Sequence, residues 1–342
     1  MKRFLKYKYR LKWREQLYTK NRTRRHFKRK RKQRHIRKAA EQAKLLESRV
    51  ARSKHETVSA PEVFSFVTNT TDTLAFFNKI ENLLLDAYPI KIDLSKVTEM
   101  SADSLLYLLA LFDRLNKSRK MYHVEGNIPK HKTAADKFRH SGFLKYVTAN
   151  GVQSHTSKNI VQIYGGEKIE TRIVKDLVKL THTTLGLNKY QTMHLYEVLI
   201  EIINNTVHHA YRSKDILPKW YAYAEYNELE RSVVFTVLDT GLGIPATVRR
   251  TWGEVLIDSV RVRRMTDSQL IISALDGKFR TQTNKRYRGR GLPKIKSAHE
   301  DGSLTDLLLI SRKGYINLSS GTHQDLGVTF RGTLYTWKVV AQ

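Results

Sequence analysis

Apolar positions between residues 58 and 146 alternate between two periods. Short runs at Val63 to Val67, Ile90 to Leu94 and Tyr122 to Glu125 are β-branched or aromatic and predict strands. Between and after them, Asp72 to Leu85, Ser104 to Asn116 and Thr133 to Tyr146 space their apolar residues as helices do. This alternation predicts an α/β sandwich over residues 58–165. A second patterned region follows, opening with a helix from Ile169 to Leu185. Around residues 198–209 the apolar residues Val198, Leu199, Ile202, Ile203 and Val207 surround Glu201, Asn205 and His209, which recur every fourth position. On a helix those three form one polar stripe on an otherwise apolar segment. Ser232-Val-Val-Phe-Thr-Val-Leu-Asp239 reads as a buried strand ending on a carboxylate, and Phe330 to Trp337 reads as a late strand.

Three of these features carry chemistry. A carboxylate and an amide on one helix face suit a magnesium-bound triphosphate: Glu201 can orient and deprotonate a water or hydroxyl, while the Asn205 oxygen coordinates a hard cation. Asp239 is followed by Thr240-Gly241-Leu242-Gly243-Ile244-Pro245, so a buried acceptor stands beside two glycines that let backbone approach a ligand. Tyr287-Arg288-Gly289-Arg290-Gly291-Leu292-Pro293-Lys294-Ile295 is a glycine loop opening onto a helix, where free N–H groups and the helix dipole favour phosphates. A lone Gly-x-Gly marks a turn more often than a site.

In this order and spacing, the three segments resemble the GHKL (Bergerat-fold) ATPases over roughly residues 168–340. The resemblance implies a two-layer α/β sandwich over residues 166–342 with ATP and Mg2+ as cofactors. It implies that Glu201 is the general base and Asn205 a magnesium ligand. Asp239 would contact adenine, Gly241 and Gly243 would line the base pocket, and Gly289 and Gly291, with Leu292 beside them, would face the phosphates. Thr333 would lie near adenine on the closing strand. Residues 246–288, rich in arginine, would form a flexible lid. Of the family's branches, Asn205-Thr-Val-His-His209-Ala210-Tyr211 is closest to the anti-sigma-factor serine kinases. The chain shows no transducer region after the closing strand, and His182 lacks the acidic neighbour of a phospho-accepting histidine.

The segment Lys91-Ile92-Asp93-Leu94-Ser95 through Ala102-Asp103-Ser104-Leu105-Leu106 resembles the central part of STAS domains, natural partners of GHKL serine kinases. It departs from that pattern at Asp103, which stands where the family carries its phosphorylated serine, and at Ser104, which replaces the following glycine. A STAS-like unit in the same chain implies a regulatory or self-association surface.

Charge changes the picture at the N-terminus. The formal net charge is +30, and residues 1–40 hold 19 Lys and Arg against the single acid Glu15. Residues 1–57 therefore form a basic extension, with Phe4, Tyr7, Tyr9 and Trp13 interleaved, whose pattern permits a helix on contact with a partner while like-charge repulsion opposes one in isolation. Lysines and arginines gain on a nucleic-acid backbone through counterion release, and aromatic rings can stack on bases. The densest run, Arg24, Arg25, Lys28, Arg29, Lys30, Arg31, Lys32 and Arg34, is the expected nucleic-acid contact, RNA or DNA. An anionic membrane surface is the second reading. A transit peptide is the third, disfavoured by scarce serine. No cysteine is present, which excludes disulfides, thiolate metal sites and a cysteine nucleophile. No run has membrane-spanning length and no signal-peptide core is visible, so a soluble, cytoplasmic protein is expected. Two functions remain open: an ATPase or serine/threonine-kinase-like enzyme, and a nucleotide-gated binding protein that switches affinity for nucleic acid or protein without turnover.

Overall fold

A computed structural model describes residues 33–34, 36–45, 55–86, 88–117, 123–147, 157–209, 219–252, 259–279 and 291–341. Most of the basic extension lies outside these residues. Of its expected contacts only Arg34 is described, as an exposed side chain ahead of a helical stretch α1 (36–45).

The chain is mixed α/β. Its first unit contains strands β1 (Glu56–Ser59), β2 (Val63–Phe64), β3 (Ile90–Asp93), β4 (Glu99–Met100) and β5 (Val124–Gly126). The helices are α2 (Thr70–Leu85), α3 (Ala102–Lys117), α4 (Lys132–His140) and α5 (Leu144–Val147). The strands form a parallel sheet of order β1-β3-β5 and a separate parallel pair, β2-β4. Two expectations are corrected. The strand read over Val63 to Val67 stops at Phe64, because Val67 and Thr68 donate their N–H groups to the Ser65 hydroxyl and close a turn instead. The helix read over Thr133 to Tyr146 breaks at Ser141-Gly142, where Gly142 takes φ +83° and Phe143 N donates to Ser141 Oγ.

The second unit is a five-stranded sheet with helices on one face. Its elements are β6 (Ile160–Gly166), α6 (Thr171–Leu185), α7 (Lys189–His209), β7 (Trp220–Asn227), β8 (Ser232–Asp239), α8 (Ile244–Trp252), α9 (Ser259–Arg264), α10 (Asp267–Leu275), α11 (Gly291–Glu300), β9 (Thr305–Asn317) and β10 (Thr322–Val340). All pairs are antiparallel in the order β6-β7-β8-β10-β9. Local chemistry sets the helix ends. Gly186 ends α6 in the left-handed region at φ +69°, while Asn188 and Gln191 exchange side-chain-to-backbone bonds of 2.9 Å at the start of α7.

Alternation along the strands buries both faces of this sheet. Trp220, Ala222, Ala224, Phe235, Val237, Tyr335 and Trp337 pack against Val198, Leu199, Ile202 and Ile203 of α7. The opposite residues Tyr221, Tyr223, Leu238, Ile310, Phe330 and Leu334 join one continuous core with Phe66, Phe77, Tyr107 and Leu111 of the first unit. Phe330 meets Tyr107 at 4.6 Å and Phe66 at 5.2 Å between ring centroids. Polar contacts tie the same seam. Arg331 N donates to Tyr107 Oη at 3.2 Å, Asp113 takes both the Tyr221 hydroxyl and Lys219, and Lys137 pairs with Glu225 at 2.7 Å.

Of the stretch expected to be a flexible lid, the described residues 246–252 and 259–279 pack into this unit. Thr266 and Gln269 form a capping box on α10, and Leu270, Ile271 and Leu275 of that helix are buried. Buried Asp267 accepts from Arg249 at 2.5 Å and from Lys313 N at 3.0 Å. Apolar anchoring and a paired buried carboxylate pack the described helices of this stretch into the unit.

Candidate functional site

Each of the five strands contributes one residue to a row across the helix-covered side of the sheet. The registers run Gly166 to Trp220, Trp220 to Asp239, Asp239 to Thr333, and Thr333 to Ser311. Asp239 is its chemical centre. Its carboxylate is 6% exposed and accepts from Gly241 N at 2.7 Å. Burial raises its pKa from 3.8 to about 6, against the lowering effect of bonds from Gly241 and Thr333. A buried acceptor beside an open turn can receive an exocyclic amine, which is the chemistry expected of Asp239.

The turn after Asp239 is fixed by packing as much as by any ligand. Gly243 sits at φ +85°, and a Cβ there would stand 2.8 Å from Ser311 Oγ and 2.9 Å from Arg312 Cγ. Ser311 Oγ in turn accepts from Ile244 N at 2.9 Å and lies 3.1 Å from Thr333 Oγ1. Ser311 was missed in the sequence. Its signal is a polar residue closing the apolar run Leu307 to Ile310, the same pattern that marked Asp239.

On α7, Glu201 and Asn205 are half-buried, and the start of α11 comes directly against them. A Cβ built on Gly291 would lie 2.8 Å from Glu201 Oε2, 3.0 Å from Asn205 Nδ2 and 3.4 Å from Asn205 Oδ1. Asn205 Nδ2 is buried and without a hydrogen-bond partner. One turn back along the stripe, Glu197 pairs with Lys294 of α11, so the two helices are held together by charge as well as by packing. Leu292 is half-buried between the apolar cluster of α7 and that of α8 and α10, where it acts as a packing residue. Gly289 and the side chain of His209 lie outside the described residues. Of the lid arginines, Arg249 is committed to Asp267 and Met265 O, and Arg263 and Arg264 are exposed.

The structure thus joins Glu201, Asn205 and Gly291 in one contact, and Asp239, Gly241, Gly243 and Thr333 in another. Both groups sit on elements packed in the same helix-covered cluster. In the first unit, Asp103 is 1% exposed and accepts from Phe66 N at 3.1 Å and Ser101 Oγ at 2.5 Å. Burial raises its pKa. It therefore ties the turn after β2 to the start of α3. Among the described residues no helix is long and apolar enough to cross a membrane. Comparison of the chain with protein-family models and with curated proteins finds no match in either.

Proposed function

We propose that residues 166–342 form a GHKL-type module that binds ATP with Mg2+ and transfers its γ-phosphate to water or a protein hydroxyl. The observation that carries this reading is the contact of Gly291 with Glu201 and Asn205. Three residues separated by up to 90 positions, and singled out by sequence for one chemistry, meet where a Cβ on Gly291 would displace the ends of the other two side chains. In this reading the α11 N-terminus faces the triphosphate, whose charge its free N–H groups offset. Asn205 holds magnesium through its oxygen, and Glu201 accepts the nucleophile's proton. Magnesium, when bound, neutralises charge between the β- and γ-phosphates. Asp239 accepts the adenine amine, with Thr333 beside it in the row. The first unit is read as STAS-like, and the basic extension as a nucleic-acid-binding arm.

A nucleotide-gated binding protein is the second reading, favoured by the core that the first unit shares with the sheet carrying Asp239 and Thr333. A change in strand packing on nucleotide binding would reach Phe330 and Tyr107 directly. The test is incubation of the full chain with γ-labelled ATP and Mg2+, with and without RNA or DNA, beside Asp239→Asn. Label released as phosphate or moved onto protein by the wild type alone supports the enzyme. ATP bound but left intact supports the gate, and no ATP binding by the wild type removes both.

A further inference from the structure

A second constellation lies in the first unit, on elements that give nothing to the row around Asp239. His55 immediately precedes β1 and His123 immediately precedes β5, the two parallel strands that flank β3. Both are drawn to one end of the sheet by the ladder itself. Glu56 N donates to Pro89 O at 3.0 Å, and Ile90 N donates to His123 O at 3.0 Å. The imidazole centroids are 4.8 Å apart, with the rings inclined by 40°.

Glu125, two residues along β5, points its carboxylate at both rings. His55 Nε2 lies 3.5 Å and His123 Nε2 3.3 Å from the same oxygen, Glu125 Oε1. The donor atoms of all three residues fall within 4.8 Å of one another. His55 Nε2 is buried and makes no hydrogen bond, although buried polar nitrogens are almost always bonded.

Two of these distances match edges of a coordination polyhedron. Zinc binds imidazole nitrogen and carboxylate oxygen at about 2.0–2.2 Å, so adjacent donors of a tetrahedral site stand roughly 3.3 Å apart. The two nitrogen-to-oxygen edges are already near that length, and only the edge between the imidazoles has to shorten. Two nitrogens with one oxygen suit a borderline divalent transition metal ion and not magnesium or calcium, which prefer all-oxygen sets.

We propose that His55, His123 and Glu125 bind a divalent transition metal ion of the zinc type, with a fourth position left to water. The side chains are 31%, 43% and 53% exposed, so the ion exchanges with solvent and is not entombed as a structural zinc is. Its placement gives it a consequence. His55 is the residue through which the basic N-terminal stretch enters the folded unit, and the ion ties that junction to β5.

The test uses the full chain, stripped with chelator and titrated with ZnCl2 in the absence of nucleotide, with CoCl2 as a spectroscopic probe. One Zn2+ per chain is expected, with the strong visible absorption of four-coordinate Co2+. His123→Ala and Glu125→Gln should each weaken Zn2+ binding at least tenfold, while His323→Ala on the exposed β9–β10 hairpin leaves it unchanged. Absence of a stoichiometric site in the wild type, or His123→Ala binding as the wild type does, overturns the proposal. Circular dichroism of the variants confirms that their folds are intact.

Discussion

Gly332 lies against the backbone of Asp239 so closely that a Cβ would be driven into the Asp239 carbonyl oxygen. It sits at φ +99°, at a shift in the β9–β10 register between Phe330 and Thr333. Two residues of β10, Arg331 and Gly332, stand there between consecutive residues of β9, and Phe330 faces the first unit while Thr333, an odd number of positions on, faces the helices. Gly332→Ala meets backbone and not a movable side chain, so a loss of several kcal/mol or failure to fold is expected. Denaturant unfolding measures it, and a change within 1 kcal/mol would show that the strand can shift aside.

Gly291→Ala should behave differently, because its new methyl meets the far ends of Glu201 and Asn205. Those side chains can rotate away, so stability should change by about 1 kcal/mol or less. ATP turnover should collapse, because the carboxylate and amide leave their positions. Measuring melting and phosphate release on the same preparation separates the effects, and unchanged turnover would detach Gly291 from the site.

Glu201→Gln should lower turnover by roughly 10²–10⁴-fold while leaving ATP affinity near that of the wild type, since a general base acts in the chemical step. Loss of binding in parallel would give Glu201 a role in holding the nucleotide instead.

The Asp239 carboxyl gives a pH signature with a defined sign. Its folded pKa is about 6 against an ordinary 3.8, because burial disfavours the charge. Between roughly pH 4 and 6 the folded state keeps a proton that the unfolded chain has lost. Stability therefore falls as pH rises through that window, by ~3 kcal/mol in all. Asp239→Asn should remove this decline, so that it melts above the wild type at neutral pH while binding no ATP. Parallel stability profiles for the two proteins across the window would contradict the assignment.

Removal of residues 1–50 should abolish salt-sensitive binding to RNA or DNA and leave ATP affinity unchanged. The cut stops short of β1, which opens at Glu56 inside the stretch that sequence assigned to the extension and pairs with β3 throughout. Electrophoretic mobility at several salt concentrations reads the outcome. Retained affinity would locate the nucleic-acid surface on the folded units.

The sequence was most legible where one residue both ends an element and carries chemistry. The strand from Ser232 to Asp239 is found with the bounds that its β-branched alternation indicated. The start of α11 at Gly291 follows from the glycine loop. Features that depend on distant partners were not legible. Ser311 and Gly332 matter through registers among β8, β9 and β10; the polar residue after Leu307 to Ile310 and the glycine before Thr333 mark the positions, and the pairing itself has no local pattern. The aromatic seam of Tyr107, Phe66 and Phe330 read as ordinary core in three separate segments, because shared burial across units leaves no periodic mark. The lid expected over residues 246–288 rests on their place between the two glycine segments, which says nothing of how Asp267 and Leu270 pack their described helices.

In the strand order β6-β7-β8-β10-β9, the last strand in the chain occupies an interior position. β9 meets the sheet only through β10, to which a short turn joins it. Until β10 pairs with β8, Asp239 has no Thr333 beside it and Tyr107 has no Phe330 to pack against. That pairing joins segments far apart in sequence, and such non-local pairing is slow by nature. It also makes the row around Asp239 and the seam to the first unit mature in a single event, so a chain stalled before Thr322 would possess neither.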